Sequence, residues 1–255
     1  MNSTRLSEAE IARYFEQGYL LLPGLIAPDA LERYDKRFVS FVEARLKPPP
    51  QMKIMRDIMV VKGAVEPETP LHAINKMMSF EDDPELYDYV LQPKLLDAIR
   101  SLLGDDIYSL STNLFNKPPG IDGRHPLHQD LRYFRIRPAE KIVGVWTAML
   151  PATRETGCLA VIPGSHKGEL LKHAEPDWEY VNHAFFGIEN IDLDKRVHVE
   201  MMPGDTLLFH PLLIHGSGRN HSRSFRRAIS AHYAAGGCDS PVRDWKQGKQ
   251  VRHIG

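Results

Sequence analysis

The sequence predicts a β-rich α+β protein, with a helical N-terminal part over residues 1–105 packed on a β-sandwich over 106–235 and a short tail at 236–255. Three observations carry that reading. Before about residue 105 apolar residues recur at helical spacing, and Pro and Gly mark the stops. After it, short β-prone runs alternate with Gly, Pro and Asp turn clusters, the pattern of sandwiches and barrels rather than of alternating βαβ units. With 255 residues, 42% of them hydrophobic, and no internal repeat, the chain can bury one large core, so a single domain over 1–255 is the simplest organisation.

Each element has its own signal. Ser7 opens the first helix, because Glu10 three residues later completes a capping box and Ile11, Tyr14 and Phe15 follow at helical spacing. "YLLLPGLI" is a short strand broken at Pro23-Gly24. "PDALERYDKRFVSFVEARL" is a second helix, expected to run up to the triple proline at 48–50. "DPELYDYVLQPKLLDAIRSLLG" supplies one or two more, closing at Gly104. The β half then runs through "IYSLSTNLFN", "VGVWTAML", "CLAVIPGS", "VHVEMMPGD", "TLLFHPLLIHGSG" and "RRAISAHYA".

Composition excludes several classes of function. A net charge of −1 and a pI near 6.9 leave no electrostatic footprint for nucleic acid or an acidic membrane. No window approaches the roughly 18 apolar residues of a membrane span. The first 30 residues mix charge with apolar positions, unlike a signal peptide, and "RHIG" is no Ser-Lys-Leu address. Cys158 and Cys238 fit a reduced interior better than a disulfide scaffold. A cytoplasmic protein with a small-molecule partner, and no nucleic-acid or membrane partner, is the expectation.

The chemistry is sought first in "HPLHQDLRYF". His128 and Asp130 stand two apart, so a strand would place both on one face. Such a pair alone is weak: with 12 histidines about one arises by chance, and His173–Glu175 and His198–Glu200 are similar pairs. His215 adds weight, because it ends the apolar run "TLLFHPLLIH" just before Gly216-Ser217-Gly218, at the rim of the fold. Two histidines and one carboxylate leave three positions of an octahedral ion open, which suits non-haem Fe(II) and its need to hold a co-substrate and dioxygen. Zinc would ordinarily leave one.

A cation is the third feature. In "RRAISAHY" strand alternation puts Arg226, Ala228, Ser230 and His232 on one face and Arg227, Ile229, Ala231 and Tyr233 on the other. One of the two arginines must then point into the sandwich, where an unpaired charge is expensive and an anionic ligand is its natural partner. Residues alone leave open which one.

The stretches "NKPP" (116–119), "RHPLHQDLRYF" (124–134), "VWTAM" (145–149), "GCLAVIPGSHKG" (157–168), "PGDTLLFHPLLIHGSG" (203–218) and "FRRAISAHY" (225–233) resemble the phytanoyl-CoA dioxygenase family of Fe(II)/2-oxoglutarate oxygenases, in order across the β half. Within the family, "RHPLHQD" and "FHPLLIHGSG" are nearest to the members that hydroxylate phytanoyl-CoA at C2. The resemblance implies a double-stranded β-helix (a jelly roll of the cupin kind) that binds Fe(II) through His128, Asp130 and His215 and uses 2-oxoglutarate and O2. It places the co-substrate's arginine anchor on Arg226, eleven residues past His215, with Ser217 beside it. Trp146, Gln129 and Lys76 match further co-substrate contacts of the mammalian member, and its methionine contact becomes Asn113 here. Without the family, Trp146 on a β-run reads as core. His125, His166 and His210 read as structural or supporting, with His166 near the entrance.

Substrate is less defined. Arg132, Arg135, Arg137 and Lys141 follow the first metal motif and could meet coenzyme A phosphates, or simply form a solvated loop. The favoured reaction is hydroxylation at the α-carbon of an acyl-CoA with release of succinate and CO2. The alternatives are the same chemistry on another small metabolite or natural-product intermediate, and a cupin-like metal-binding protein that is no oxygenase. Halogenation is disfavoured, because Asp130 fills the position a halide would take.

Overall fold

The computed structural model describes residues 5–241 and 244–255. The capping box at Ser7 forms as expected, with Ser7 and Glu10 exchanging hydrogen bonds, and starts α1 (Glu8–Gln17). Gly18, at φ +82°, ends it and turns the chain into β1 (Tyr19–Leu22). α2 (Pro28–Val42) has proline in its first turn but stops before the triple proline. Ala44 enters the left-handed region at φ 57°, and the amides of Arg45 and Leu46 fold back onto the Ser40 carbonyl. β2 (Lys53–Arg56), α3 (Ile58–Val61), β3 (Ile74–Met78), α4 (Pro84–Tyr87) and α5 (Pro93–Leu103) complete the N-terminal part.

The β half contains β4 (Ile107–Lys117), β5 (His125–His128), β6 (Ile142–Ala148), β7 (Leu159–Val161), β8 (Val197–Val199), β9 (Thr206–Phe209), β10 (His215–Ser217), β11 (Arg226–Ala235) and β12 (Arg252–His253). An eight-stranded antiparallel sheet runs β1-β9-β6-β11-β4-β3-β2, with β12 paired to β4. It faces a four-stranded sheet ordered β5-β10-β7-β8. From β4 to β11 the chain passes back and forth between the two sheets, the winding of a double-stranded β-helix.

The first 105 residues therefore do more than provide helical support: β1, β2 and β3 extend the large sheet at both ends. β2 and β3 escape a pattern reading because "KIMR" and "INKMM" set charged or polar residues among apolar ones without clean alternation. The tail is packed too, through β12 and through buried Trp245, whose Nε1–H donates to the Cys238 carbonyl at 2.7 Å.

The large sheet is buried on both faces, which sorts its residues. Tyr34 and Phe38 of α2 and Leu95 and Ile99 of α5 share a core with Val143, Val145, Leu208, Ile229, Ala231 and Tyr233. On the opposite face, inside the sandwich, lie Trp146, Ala148, Leu207, Phe209 and Ala228 with Leu159 and Val161 of the small sheet. Polar groups on either face must find partners away from water. Among the described residues no helix is long and apolar enough to cross a membrane.

Candidate metal centre

His128 and His215 are direct register partners across β5 and β10. The strand expected to carry both His128 and Asp130 ends at His128; Asp130 instead opens a 3-10 turn, Asp130–Tyr133. That turn still returns the carboxylate to the histidines. Asp130 Oδ1 lies 3.1 Å from His128 Nε2 and 3.8 Å from His215 Nε2. The three ligand atoms fall within 4.8 Å of one another, and all three residues are buried.

The hydrogen bonds settle what this cluster wants. His128 Nδ1 is 2.8 Å from the Pro126 carbonyl, and His215 Nδ1 is 3.0 Å from that of Leu213. A carbonyl only accepts, so each Nδ1 carries the proton and each Nε2 presents a lone pair. Two imidazole lone pairs and a carboxylate then converge in a buried site, an arrangement that a divalent cation stabilises. Burial raises Asp130, but its histidine neighbours, His215 and His232 first and then His128, outweigh it and hold the carboxyl well below its usual range. Burial first, then His128, lowers His215 to about 4, so it stays neutral and able to ligate.

The second carboxylate oxygen is occupied. Asp130 Oδ2 accepts from His232 Nε2–H at 2.7 Å, and His232 Nδ1 is 3.0 Å from the Ser111 hydroxyl. His232 thereby leaves only Oδ1 to the cluster, a role the sequence reading did not give it. The signal was present, since alternation along β11 puts His232 on the face of Arg226.

Both arginines are buried, where one was expected to be. The outer face of β11 is covered by helices, so Arg227 has no route to water. It pairs with Asp35 of α2, donates to Asn116 Oδ1 at 3.1 Å and lies over the Phe38 ring. Arg226 faces inward, its guanidinium 5.4 Å from the Trp146 ring centroid, with one 3.4 Å contact to Ser217 Oγ and no hydrogen-bond partner at Nε. Burial lowers its pKa to about 10.

The remaining expected residues divide. Lys76 sits on β3, its ammonium 4.9 Å over the Phe115 ring; burial lowers its pKa to about 8, against the opposing pull of Asp130. Asn113 is buried in the β4 row of Ser111, Phe115 and Lys117, opposite Ser230. Gln129 does otherwise. Its amide donates to the carbonyls of Glu169 and Leu212 and accepts from the Leu171 amide, so its side chain fastens the loop over the site. His173 is no ligand; its Nε2 accepts from the Gln129 amide at 3.0 Å. His125 stacks between His128 and Phe185, at 4.2 and 3.9 Å, and burial keeps it neutral. His166 packs beneath Gly18 and is bonded to the Phe15 carbonyl.

The family model described as "Phytanoyl-CoA dioxygenase (PhyH)" matches residues 14–228. The chain belongs to the phytanoyl-CoA dioxygenase family. The enzyme is 46% identical over 235 residues to a probable phytanoyl-CoA dioxygenase of Caenorhabditis elegans, covering 89% of this chain and 75% of that one. It is 42% identical over 230 residues to the human "Phytanoyl-CoA dioxygenase, peroxisomal", covering 88% and 67%. Among solved structures it resembles the non-heme α-ketoglutarate-dependent carbocyclase SnoK, with TM-score 0.70, 17% identity and coverage of 100% and 99%. EvdO2 of Micromonospora carbonacea var. aurantiaca, in complex with 2-oxoglutarate, gives TM-score 0.68 at 19% identity, covering 93% and 94%. The phytanoyl-CoA dioxygenase family member described here is thus an Fe(II)/2-oxoglutarate-dependent oxygenase, and the two-imidazole, one-carboxylate donor set fits iron with positions left open.

Proposed function

We propose that the enzyme hydroxylates the α-carbon of an acyl-CoA thioester, turning 2-oxoglutarate and O2 into succinate and CO2. The observation that carries the substrate class is the identity of 42–46% over most of the chain to proteins named phytanoyl-CoA dioxygenases. His128, Asp130 and His215 hold the iron, which when bound supplies the oxidising power for C–H hydroxylation. The chain's own residues do the rest. His232 fixes the Asp130 carboxylate through Oδ2, while Arg226, Ser217 and Trp146 receive the far end of 2-oxoglutarate. Gln129 and His173 hold the loop that closes the site against water, and Phe185 stacks above His125.

Part of the basic run has work in the fold that weakens its expected role as a coenzyme A doorway. Arg132 stacks on Phe186 at 4.0 Å, and Arg137 donates to the carbonyls of Phe134 and Ile136. Arg135 is exposed and lines a cleft of about 430 Å³ with Tyr133, Phe134 and Trp245. That spending of arginines supports a second reading, the same oxidation of a small molecule without a coenzyme A group. Succinate release measured across acyl-CoA thioesters, the matching free acids and amino acids separates the two. Thioester-dependent succinate with a 2-hydroxyacyl product is expected. Equal or better turnover of a free acid or another metabolite overturns the thioester assignment.

A further inference from the structure

Lys117 is the last residue of β4 and the direct ladder partner of Arg226 on β11. Residues paired in this way across neighbouring antiparallel strands project on the same side of the sheet, and like charges so placed repel. Both are buried, each about 4% exposed. Among the described residues neither has a carboxylate within salt-bridge distance, whereas the neighbouring Arg227 has Asp35. Lys117 Nζ donates to Ser217 Oγ at 2.8 Å and to the Gly218 carbonyl, which leaves one of its three donors uncommitted. Arg226 reaches the same Ser217 Oγ, and its Nε has no partner. Burial first, and then Arg226 beside it, hold the Lys117 ammonium well below its ordinary range.

The wall behind the ammonium is closed. A Cβ on Gly157, at φ +81°, would come within 2.7 Å of the Gly218 carbonyl, 2.8 Å of that of Arg219 and 3.1 Å of Lys117 Nζ. Two buried cations with spare donors, meeting on one hydroxyl in a closed corner, are a costly arrangement unless an anion joins them. A carboxylate has the required shape, since its two oxygens can accept from a guanidinium and an ammonium at once.

We propose that Lys117 is a second cationic anchor for the far carboxylate of 2-oxoglutarate, acting with Arg226 across Ser217. The inference rests on the placement of that carboxylate at Arg226. It assigns Lys117 to discrimination between 2-oxoacids that end in a carboxylate and those that end in a methyl group.

The test compares 2-oxoglutarate with 2-oxopentanoate, which has the same five-carbon chain without the second carboxylate. Binding is measured by calorimetry on protein loaded with Mn(II), which allows chelation without turnover. Wild type should strongly prefer 2-oxoglutarate. Lys117→Met should cut that preference about tenfold or more, the scale of one charge-assisted hydrogen bond, and change 2-oxopentanoate affinity less than about twofold. Lys117→Arg should restore most of the preference. If Lys117 only tethers the Gly218 loop, Lys117→Met weakens both ligands alike, and the inference fails. An unchanged preference in Lys117→Met also overturns it, provided that Arg226→Met loses the preference. If neither variant changes the preference, the carboxylate binds elsewhere and the placement at Arg226 fails with it. Should Lys117→Met not fold, Lys117→Gln carries the same comparison, because it keeps a donor for Ser217 and loses the charge.

Discussion

β11 shows two ways to bury an arginine, one on each face. Arg227, toward the helices, is closed by the protein itself through Asp35, Asn116 and the Phe38 ring. Arg226, toward the sandwich, has the Trp146 ring, one 3.4 Å contact to Ser217 Oγ and a partnerless Nε, with Lys117 opposite it. Sequence spacing makes the two look equivalent. Their satisfaction separates them, since a buried charge with a complete set of partners serves the fold and one without awaits a ligand.

Variants can break that distinction, beginning with the metal cluster on the unsatisfied side. Asp130→Ala should lower succinate formation about a thousandfold or more, the several kcal/mol that a held metal contributes, while the melting temperature stays within a few degrees. Near-normal, iron-dependent turnover in that variant would falsify the assignment of Asp130 as a ligand.

The two arginines then make a crossed pair. Arg226→Met should raise the 2-oxoglutarate KM by one to two orders of magnitude, roughly 1.5–3 kcal/mol for a hydrogen-bonded charge, without loss of stability in urea. Arg227→Met should do the reverse: KM nearly unchanged, and stability lowered by about 2 kcal/mol or more because Asp35 and Asn116 lose their partner. A swapped result would remove the basis for the comparison.

Between the faces in size of effect comes His232, which touches a ligand and not the metal. His232→Leu should weaken Mn(II) affinity about 10- to 100-fold, as for other groups that orient a ligating side chain. An unaltered Mn(II) titration would show that the Asp130 carboxylate holds its orientation without help.

The smallest effect belongs to a buried group that takes no part in the site. His210 has its pKa lowered to about 4 by burial, with His166 adding to it, and its Nδ1 accepts from the Leu212 amide at 3.1 Å. Its folded pKa lies below the unfolded value of roughly 6.5, so the unfolded chain takes up the proton first. Stability should therefore fall as pH drops from about 6.5 to about 4. His210→Asn should flatten that limb by on the order of 1–2 kcal/mol, discounted for incomplete burial, in melts between pH 4 and 7. A limb of unchanged slope would assign the acid sensitivity to other groups.

Much of this was legible in the sequence, for identifiable reasons. The capping box at Ser7 is local chemistry, and it forms. The alternation of "RRAISAHY" sorted Arg226 with His232 and Arg227 with Tyr233, because a strand's two faces follow from its backbone alone. His128, Asp130 and His215 were readable as a set, although the strand proposed to join the first two ends at His128. The misses share a cause. That both arginines would be buried, that Lys117 would stand opposite Arg226, and that Gln129 would turn its amide to a loop some 40 residues away all depend on what packs above the strand.

The sequence by itself determined the strand periods, the helix starts, the metal-competent residue types and the near-neutral charge, since all of these are properties of neighbouring residues. Only the tertiary structure decided which tautomer each ligating histidine adopts, through the carbonyls of Pro126 and Leu213. It alone decided which of two adjacent arginines is paired and which is left with an unused donor. Those choices depend on hydrogen bonds and on exclusion of water between groups distant in the chain, and no local pattern contains them.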